Sequence, residues 1–368
     1  MSGTALRGHG LRIGHLEPGP ANAITDVAGV RVGHVTVTRD EPGPPDGRGI
    51  ARTGVTVVLP GPSAAVSRAP VHAGAAVLNG AGELTGYLQI AEWGLLETPV
   101  YLTSTMQVGR ILDGAVAVAC AADPAVGVDA VVIPVVGECD DSWLNDARTV
   151  QVEAEDAARA VAAATDGPLE QGCVGAGTGM TALGWKGGVG SASRLVPEAE
   201  ATLGVLVLAN FGSARDLRID GVPVFPTIGD GIDPQPPAGS CIAVVATDAP
   251  LRSAQLERIA RRAGRGLART GSVAHHGSGE IFVAFSTAAT GRTGQPPARV
   301  EETAVPDEHL DALFAAAVEA TEEAVLNALW AAVDTEGREG RIVRALPHEP
   351  VLELLRRHGR LAETRATG

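Results

Sequence analysis

The stretch Gly239-Ser240-Cys241-Ile242-Ala243-Val244-Val245-Ala246-Thr247-Asp248-Ala249-Pro250-Leu251 places a hydroxyl directly behind a glycine carbonyl and then runs apolar until Asp248 and Pro250 close it. A short apolar run bounded by turn residues reads as a buried strand. Upstream, residues 221–239 carry Pro223, Pro226, Pro234, Pro236 and Pro237 among several glycines, so a loop feeds this strand without a helix start. Long structureless loops inside compact domains are uncommon and tend to be functional.

Outward from this point the same reading recurs. Apolar runs at 54–59, 75–78, 100–103, 130–136, 203–209, 242–246 and 281–286 are expected to be strands. Helical patterning is expected at 108–120, 148–164, 253–268 and 307–333, the last most simply packed on a sheet or serving subunit contacts. The Asp220-Gly221 pair predicts a hairpin turn between 217–219 and 222–224. Strands and helices alternate irregularly and no fixed repeat is evident, which fits a layered α/β or α+β architecture with helix-covered sheets.

Composition narrows the function. The 368 residues hold 29 basic and 43 acidic side chains, a formal charge of −14, which argues against nucleic-acid binding because phosphate affinity needs an excess of basic residues. Hydrophobic residues at 45% and charged ones at 20% exclude a disordered chain. Glycine is abundant at 47 residues while aromatics are 3%, so elements must pack closely through small side chains. Cys120, Cys139, Cys173 and Cys241 show no C-x-x-C spacing and read as reduced thiols. No stretch approaches a membrane span, the first fifteen residues lack an apolar signal run, and a cytoplasmic protein is expected.

Ser240 carries the chemistry. A hydroxyl after an unhindered glycine carbonyl can attack the preceding peptide bond and form an ester that water hydrolyses, leaving Ser240 as a new N-terminus. Its α-amine, titrating near 7.7–8.0 in model compounds, then serves as a general base beside its own hydroxyl. Gly-Ser is equally an ordinary turn before a strand. Cys241, next to Ser240 on a strand, points to the opposite face and reads as core.

The wider pattern bears on that choice. Asn22-Ala23-Ile24-Thr25-Asp26-Val27 with Val30-Arg31-Val32-Gly33-His34, Arg52-Thr53-Gly54-Val55-Thr56, Asn79-Gly80 with Gly82-Glu83-Leu84-Thr85-Gly86, and Gly94-Leu95-Leu96-Glu97-Thr98-Pro99 follow in order. Leu144-Asn145-Asp146, Gly177-Thr178-Gly179-Met180 with Lys186-Gly187-Gly188, Ala209-Asn210, the Ser240 block and His276-Gly277-Ser278-Gly279-Glu280 come after them. On these residues the chain resembles, nearly end to end, the self-processing aminopeptidases of the S58 type, the family of the L-aminopeptidase/D-Ala-esterase and the β-peptidyl aminopeptidases.

The resemblance implies a four-layer α/β/β/α sandwich, ornithine acetyltransferase-like, in a single domain over 1–368. It implies cleavage between Gly239 and Ser240 into an α chain, 1–239, and a β chain, 240–368, that stay together and assemble as oligomers. Ser240 would be the nucleophile, Ser278 and Glu280 the groups assisting it, and Asn210 the oxyanion donor. Glu138 would receive the free amino group of a short peptide, amide or ester. Two positions on, the family commonly has a tyrosine supporting the oxyanion, and here stands Asp140. A carboxylate cannot stabilise an oxyanion, so either Trp143 fills the space and Asn210 with backbone amides suffices, or substrate range has shifted, towards extra positive charge for instance. An amidase or aminoacyl-transferring homologue and a non-catalytic small-molecule-binding member of the fold are the alternatives.

Other signals are set aside. The run from Gly175 to Met180 lacks the third glycine of a dinucleotide fingerprint. The resemblance makes Gly177-Thr178-Gly179-Met180 a cleft-lining loop, with Lys186 either lending positive potential nearby or standing in solvent. His34, His72, His275 and His276 have no metal-binding spacing, and the implied mechanism calls for no cofactor and no metal.

Overall fold

The computed structural model describes residues 6–229, 239–290 and 304–361. Its principal strands are β1 (Arg31–Asp40), β2 (Ile50–Leu59), β3 (Val71–Gly80), β4 (Leu95–Leu96), β5 (Val100–Ser104), β6 (Val135–Cys139), β7 (Gly188–Val196), β8 (Ala201–Asn210), β9 (Ser240–Thr247) and β10 (Gly279–Thr290). Its helices are α1 (Tyr87–Trp93), α2 (Val108–Ala122), α3 (Glu155–Ala162), α4 (Ser253–Arg269), α5 (Leu310–Trp330) and α6 (His348–Arg357).

The strands form two sheets, β1-β2-β5-β6 and β4-β3-β10-β9-β8-β7. Helices α2 and α3 cover the outer face of the first sheet, and α4 and α5 cover the outer face of the second. Three apolar cores separate these four layers. One lies under α4 and α5, one between the sheets, and one under α2 and α3. The α/β/β/α sandwich expected from the sequence is the observed architecture.

Alternation along β9 assigns its faces. Cys241, Ala243 and Val245 join the core under the helices, while Ile242, Val244 and Ala246 join the core between the sheets. Successive side chains on a strand point to opposite faces, so Ser240 belongs to the inter-sheet side. Every residue of β9 is buried, as expected for a central strand covered on both faces.

In α4 the buried residues Leu256, Ile259, Ala260, Ala263 and Leu267 recur at helical spacing and form its inward stripe. The Gln255 side chain reaches back to accept the Arg252 N–H, supporting its first turn. Helix α5 is buried on nearly all sides, Glu319 and Glu323 included. It packs on the sheet, the first of its two expected roles.

Some elements differ from the sequence expectation. The strand expected at 130–136 begins only at Val135, because Pro134 has no N–H to give a ladder and Val131 and Ile133 are exposed. The helix expected over 148–164 is limited to Glu155–Ala162. The Asp220-Gly221 turn forms as expected between paired residues Ile219 and Val222, with φ of 48° and 78°, the consecutive left-handed pair of a tight hairpin. Residues 230–238 of the proline-rich stretch lie outside the described residues. Among the described residues, no helix is long and apolar enough to cross a membrane.

Candidate active site

Ser240 opens β9 in the middle of the six-stranded sheet. It is paired with Asn210 of antiparallel β8 on one side and Gly279 of parallel β10 on the other. The Gly279 N–H donates to the Gly239 carbonyl oxygen at 3.2 Å, which polarises the one peptide bond a self-processing step would break. Glycine at 239 has a steric cause, since a Cβ there would stand 1.9 Å from the Asn210 carbonyl oxygen. Ser240 lines a cavity of about 600 Å³ together with Ala81, Gly82, Glu83, Thr105, Glu138 and Asp140.

Asn210 ends β8 with its amide orientation set by two backbone groups. Its Oδ1 accepts the Thr181 N–H at 2.8 Å, and its Nδ2 donates to the Asp140 carbonyl oxygen at 2.8 Å. Neither partner can reverse its polarity, so the assignment follows from the network. One Nδ2 hydrogen is left for an oxyanion.

Position 140 thus meets Asn210 through its backbone carbonyl. The Asp140 carboxylate accepts the Ser142 N–H at 2.9 Å, an Asx turn that a tyrosine could not close. Trp143 does not take the aromatic's place. Its ring lies under the Arg341 guanidinium, 4.3 Å from centroid to Cζ, and it is not among the residues lining the cavity.

Glu138 arrives from the facing sheet on β6, which runs parallel to β5. The sheets approach closely here, because a Cβ on Gly137 would stand 3.2 Å from the Ile242 side chain. Glu138 is buried, and its carboxylate accepts the Glu83 N–H at 2.9 Å and the Thr105 hydroxyl. Burial raises its pKa, and the nearby Asp140 and Glu83 carboxylates push the same way. A buried carboxylate with no cationic partner among the described residues is suited to an incoming ammonium.

Ser278 and Glu280 form their own pair beside this wall. The Ser278 hydroxyl donates to Glu280 Oε1, and burial raises the Glu280 pKa. Glu280 Oε2 is buried with no hydrogen-bond partner among the described residues. No hydrogen bond among the described residues links either side chain to the Ser240 hydroxyl; the contact with Ser240 runs through Gly279. Ser240, Glu138 and Asp140 thus line the cavity, Asn210 is paired with Ser240 and bonded to the Asp140 carbonyl, and Ser278 and Glu280 stand one residue to either side of Gly279.

One expectation is corrected. Lys186 is fully buried, and its Nζ donates to the carbonyls of Gly177, Met180 and Gly187 at 3.1, 2.7 and 2.9 Å. All three donors are satisfied by backbone, so it does not stand in solvent. Residues Gly175–Gly179 form a buried 3₁₀ turn, and Gly177–Met180 are not among the residues lining the cavity.

Cys241 is core as expected, and burial pushes its thiol well above the ordinary range, which keeps it protonated and inert. Burial lowers the His34 pKa to about 4, so its imidazole is neutral. No group of three His, Cys, Asp or Glu among the described residues is arranged to hold a metal ion. Thr105, Arg148 and Arg338 on the cavity wall were not singled out from sequence. They come from separate segments, and nothing local marks them.

The model of peptidase family S58 matches residues 22–343. The β-peptidyl aminopeptidase BapA of Sphingosinicella microcystinivorans is 40% identical over 364 residues, covering 94% of this chain and 90% of that protein. The PH0078 protein of Pyrococcus horikoshii OT3 superposes with a TM-score of 0.92 at 43% identity, covering 97% of this chain and all of the other. The L-aminopeptidase D-Ala-esterase/amidase of Ochrobactrum anthropi, described as a prototype for the serine aminopeptidases and a variant of the Ntn hydrolase fold, superposes with a TM-score of 0.91 at 39% identity over 97% of this chain and 99% of its own.

Proposed function

We propose that this chain, which belongs to peptidase family S58, is an N-terminal-nucleophile serine aminopeptidase that releases the first residue of short peptides, amides or esters. The observation that carries the reading is the position of Ser240: first residue of a central strand, behind a glycine whose carbonyl is held by the Gly279 N–H, with its side chain on the wall of a cavity that also holds Glu138.

In the self-processing step the Ser240 Oγ adds to the Gly239 carbonyl carbon, the amide nitrogen departs as an amine, and the resulting ester is hydrolysed by water. Gly239 becomes a carboxylate and Ser240 gains a free α-amine. Residues 1–239 and 240–368 then form the α and β chains of a single unit. Their strands interleave, with β9 and β10 flanked by β8 and β3, which supports their staying together.

In turnover the substrate's ammonium pairs with Glu138, and its first carbonyl carbon comes to the Ser240 Oγ. The α-amine takes the hydroxyl proton, the oxyanion is met by Asn210 Nδ2, and Ser278 with Glu280 orients the nucleophile. The amine leaves with a proton, and water then releases the acyl group. A cytoplasmic setting and assembly as a homo-oligomer of αβ units belong to the same proposal.

The test is turnover of amino-acid p-nitroanilides by the purified protein. The free amine should be cleaved and the N-acetylated form left intact, because acetylation removes the charge that Glu138 reads. Equal cleavage of both would defeat the exopeptidase reading.

A further inference from the structure

Resting on the aminopeptidase reading and deepening it, we propose that the cavity selects zwitterionic peptides, whose leaving residue ends in a free carboxylate held by Arg148 and Arg338, over the corresponding amides. The cavity wall carries both signs of charge. Glu83, Glu138 and Asp140 supply the negative groups, and Arg148 and Arg338 the positive ones. An ammonium alone would need only the first set.

The two arginines belong to a cluster that already binds a carboxylate. The Arg338 guanidinium bonds Glu339 at 2.7 Å, and Arg341 bonds the same side chain. The Arg338 hydrogen bond, then the charges of Arg341 and Arg148, hold the Glu339 carboxyl below its ordinary range. The Arg338 N–H donates to the Leu144 carbonyl at 2.9 Å, which ties the cluster to the loop that follows Glu138 and Asp140.

Arg338 and Arg341 thus share the single Glu339 carboxylate, while Arg148 stands beside Asp146. Arg148 is the freest of the three, 80% exposed with Asp146 no nearer than 3.6 Å. Glu339 is 56% exposed, and an exposed ion pair contributes little, so a substrate carboxylate can share the cluster with it. A guanidinium fork matches a carboxylate in two parallel hydrogen bonds, whereas an amide offers no charge. The cavity's volume is ample for a dipeptide.

The experiment compares kcat/KM for matched pairs, α- and β-alanylglycine against their C-terminal amides. Wild type should favour the free acid by about tenfold or more, a difference of about 1.4 kcal/mol. Arg148→Gln and Arg338→Gln should each move that ratio towards one through KM for the acid. Glu339→Gln, which removes the competing carboxylate, should move it the other way. A wild type that cleaves the amides as well as the acids, or arginine variants that lose both equally, would overturn the proposal. A wild type that cleaves no member of the panel and no p-nitroanilide would overturn the aminopeptidase reading itself.

Discussion

Asn210 and Ser240 stand directly opposite each other across β8 and β9, and residues so opposed send their side chains to the same face of the sheet. The pairing brings a neutral amide donor beside a hydroxyl at one strand end. Removing the donor by Asn210→Ala should lower kcat by on the order of 10²–10³ with a smaller change in KM. It also strips the acceptor from the buried Thr181 N–H, a cost of about 1–3 kcal/mol in denaturant unfolding. An unchanged kcat in a folded variant would remove Asn210 from the oxyanion role.

Glu138→Gln keeps the shape and can keep both hydrogen bonds, to the Glu83 N–H and the Thr105 hydroxyl, while deleting the charge. Discrimination between free and N-acetylated substrates should collapse through a raised KM. Because the folded-state pKa is raised, the ionised carboxylate opposes folding once pH exceeds its unfolded value. The variant should accordingly melt above wild type at pH 7, and the gap should close as pH falls below the carboxylate range.

Asp141 gives a second pH signature. Fully buried and hydrogen-bonded by Ser104 and Asn145, it has its pKa pushed up to about 6, chiefly by burial. A raised carboxylate stabilises the fold below its unfolded pKa, and that contribution is lost as pH climbs to the folded value. Between pH 4 and pH 6 the loss should be on the order of 2 kcal/mol, the slope staying below its limit of about 1.4 kcal/mol per unit at both ends. Urea unfolding across this window should show a flatter profile for Asp141→Asn.

The buried Arg194 guanidinium bonds Glu319 at 3.2 Å, Glu323 at 2.7 Å and the Ile13 carbonyl at 2.8 Å. Arg194→Met leaves two buried carboxylates short of a partner and should cost about 3–5 kcal/mol. Adding Glu319→Gln and Glu323→Gln should recover part of that loss. A single variant as stable as wild type would contradict the network's role in joining β7, α5 and the N-terminal segment.

The legibility of the chain followed burial by apolar residues. The runs at 203–209, 242–246 and 281–286 lie inside β8, β9 and β10, and 253–268 lies inside α4. Strand β7 escaped notice because Ser191, Ser193 and Arg194 are buried through hydrogen bonds and ion pairs, which hydrophobic pattern cannot report. Strand β1 alternates half-buried with exposed residues, so it offers no continuous apolar run to mark it. At the site, Ser240 could be singled out from its own neighbours, but Asn210, Glu138, Ser278 and Glu280 took their roles from the resemblance. Residue spacing does not reveal that β8 pairs with β9 or that β6 faces it. The turn closed by Asp140 and the bonds of Arg338 and Arg341 to Glu339 are local, but their place on the cavity wall beside Arg148 depends on tertiary contacts that spacing does not report.

Intact-mass spectrometry of the active wild-type protein under denaturing conditions is the most direct measurement. The expected result is two species that divide between Gly239 and Ser240 and sum to the chain plus one water, with Ser240→Ala giving a single uncut, inactive species. A fully active wild type found only as one unbroken chain would contradict the central claim that a newly exposed Ser240 amine and hydroxyl carry the reaction.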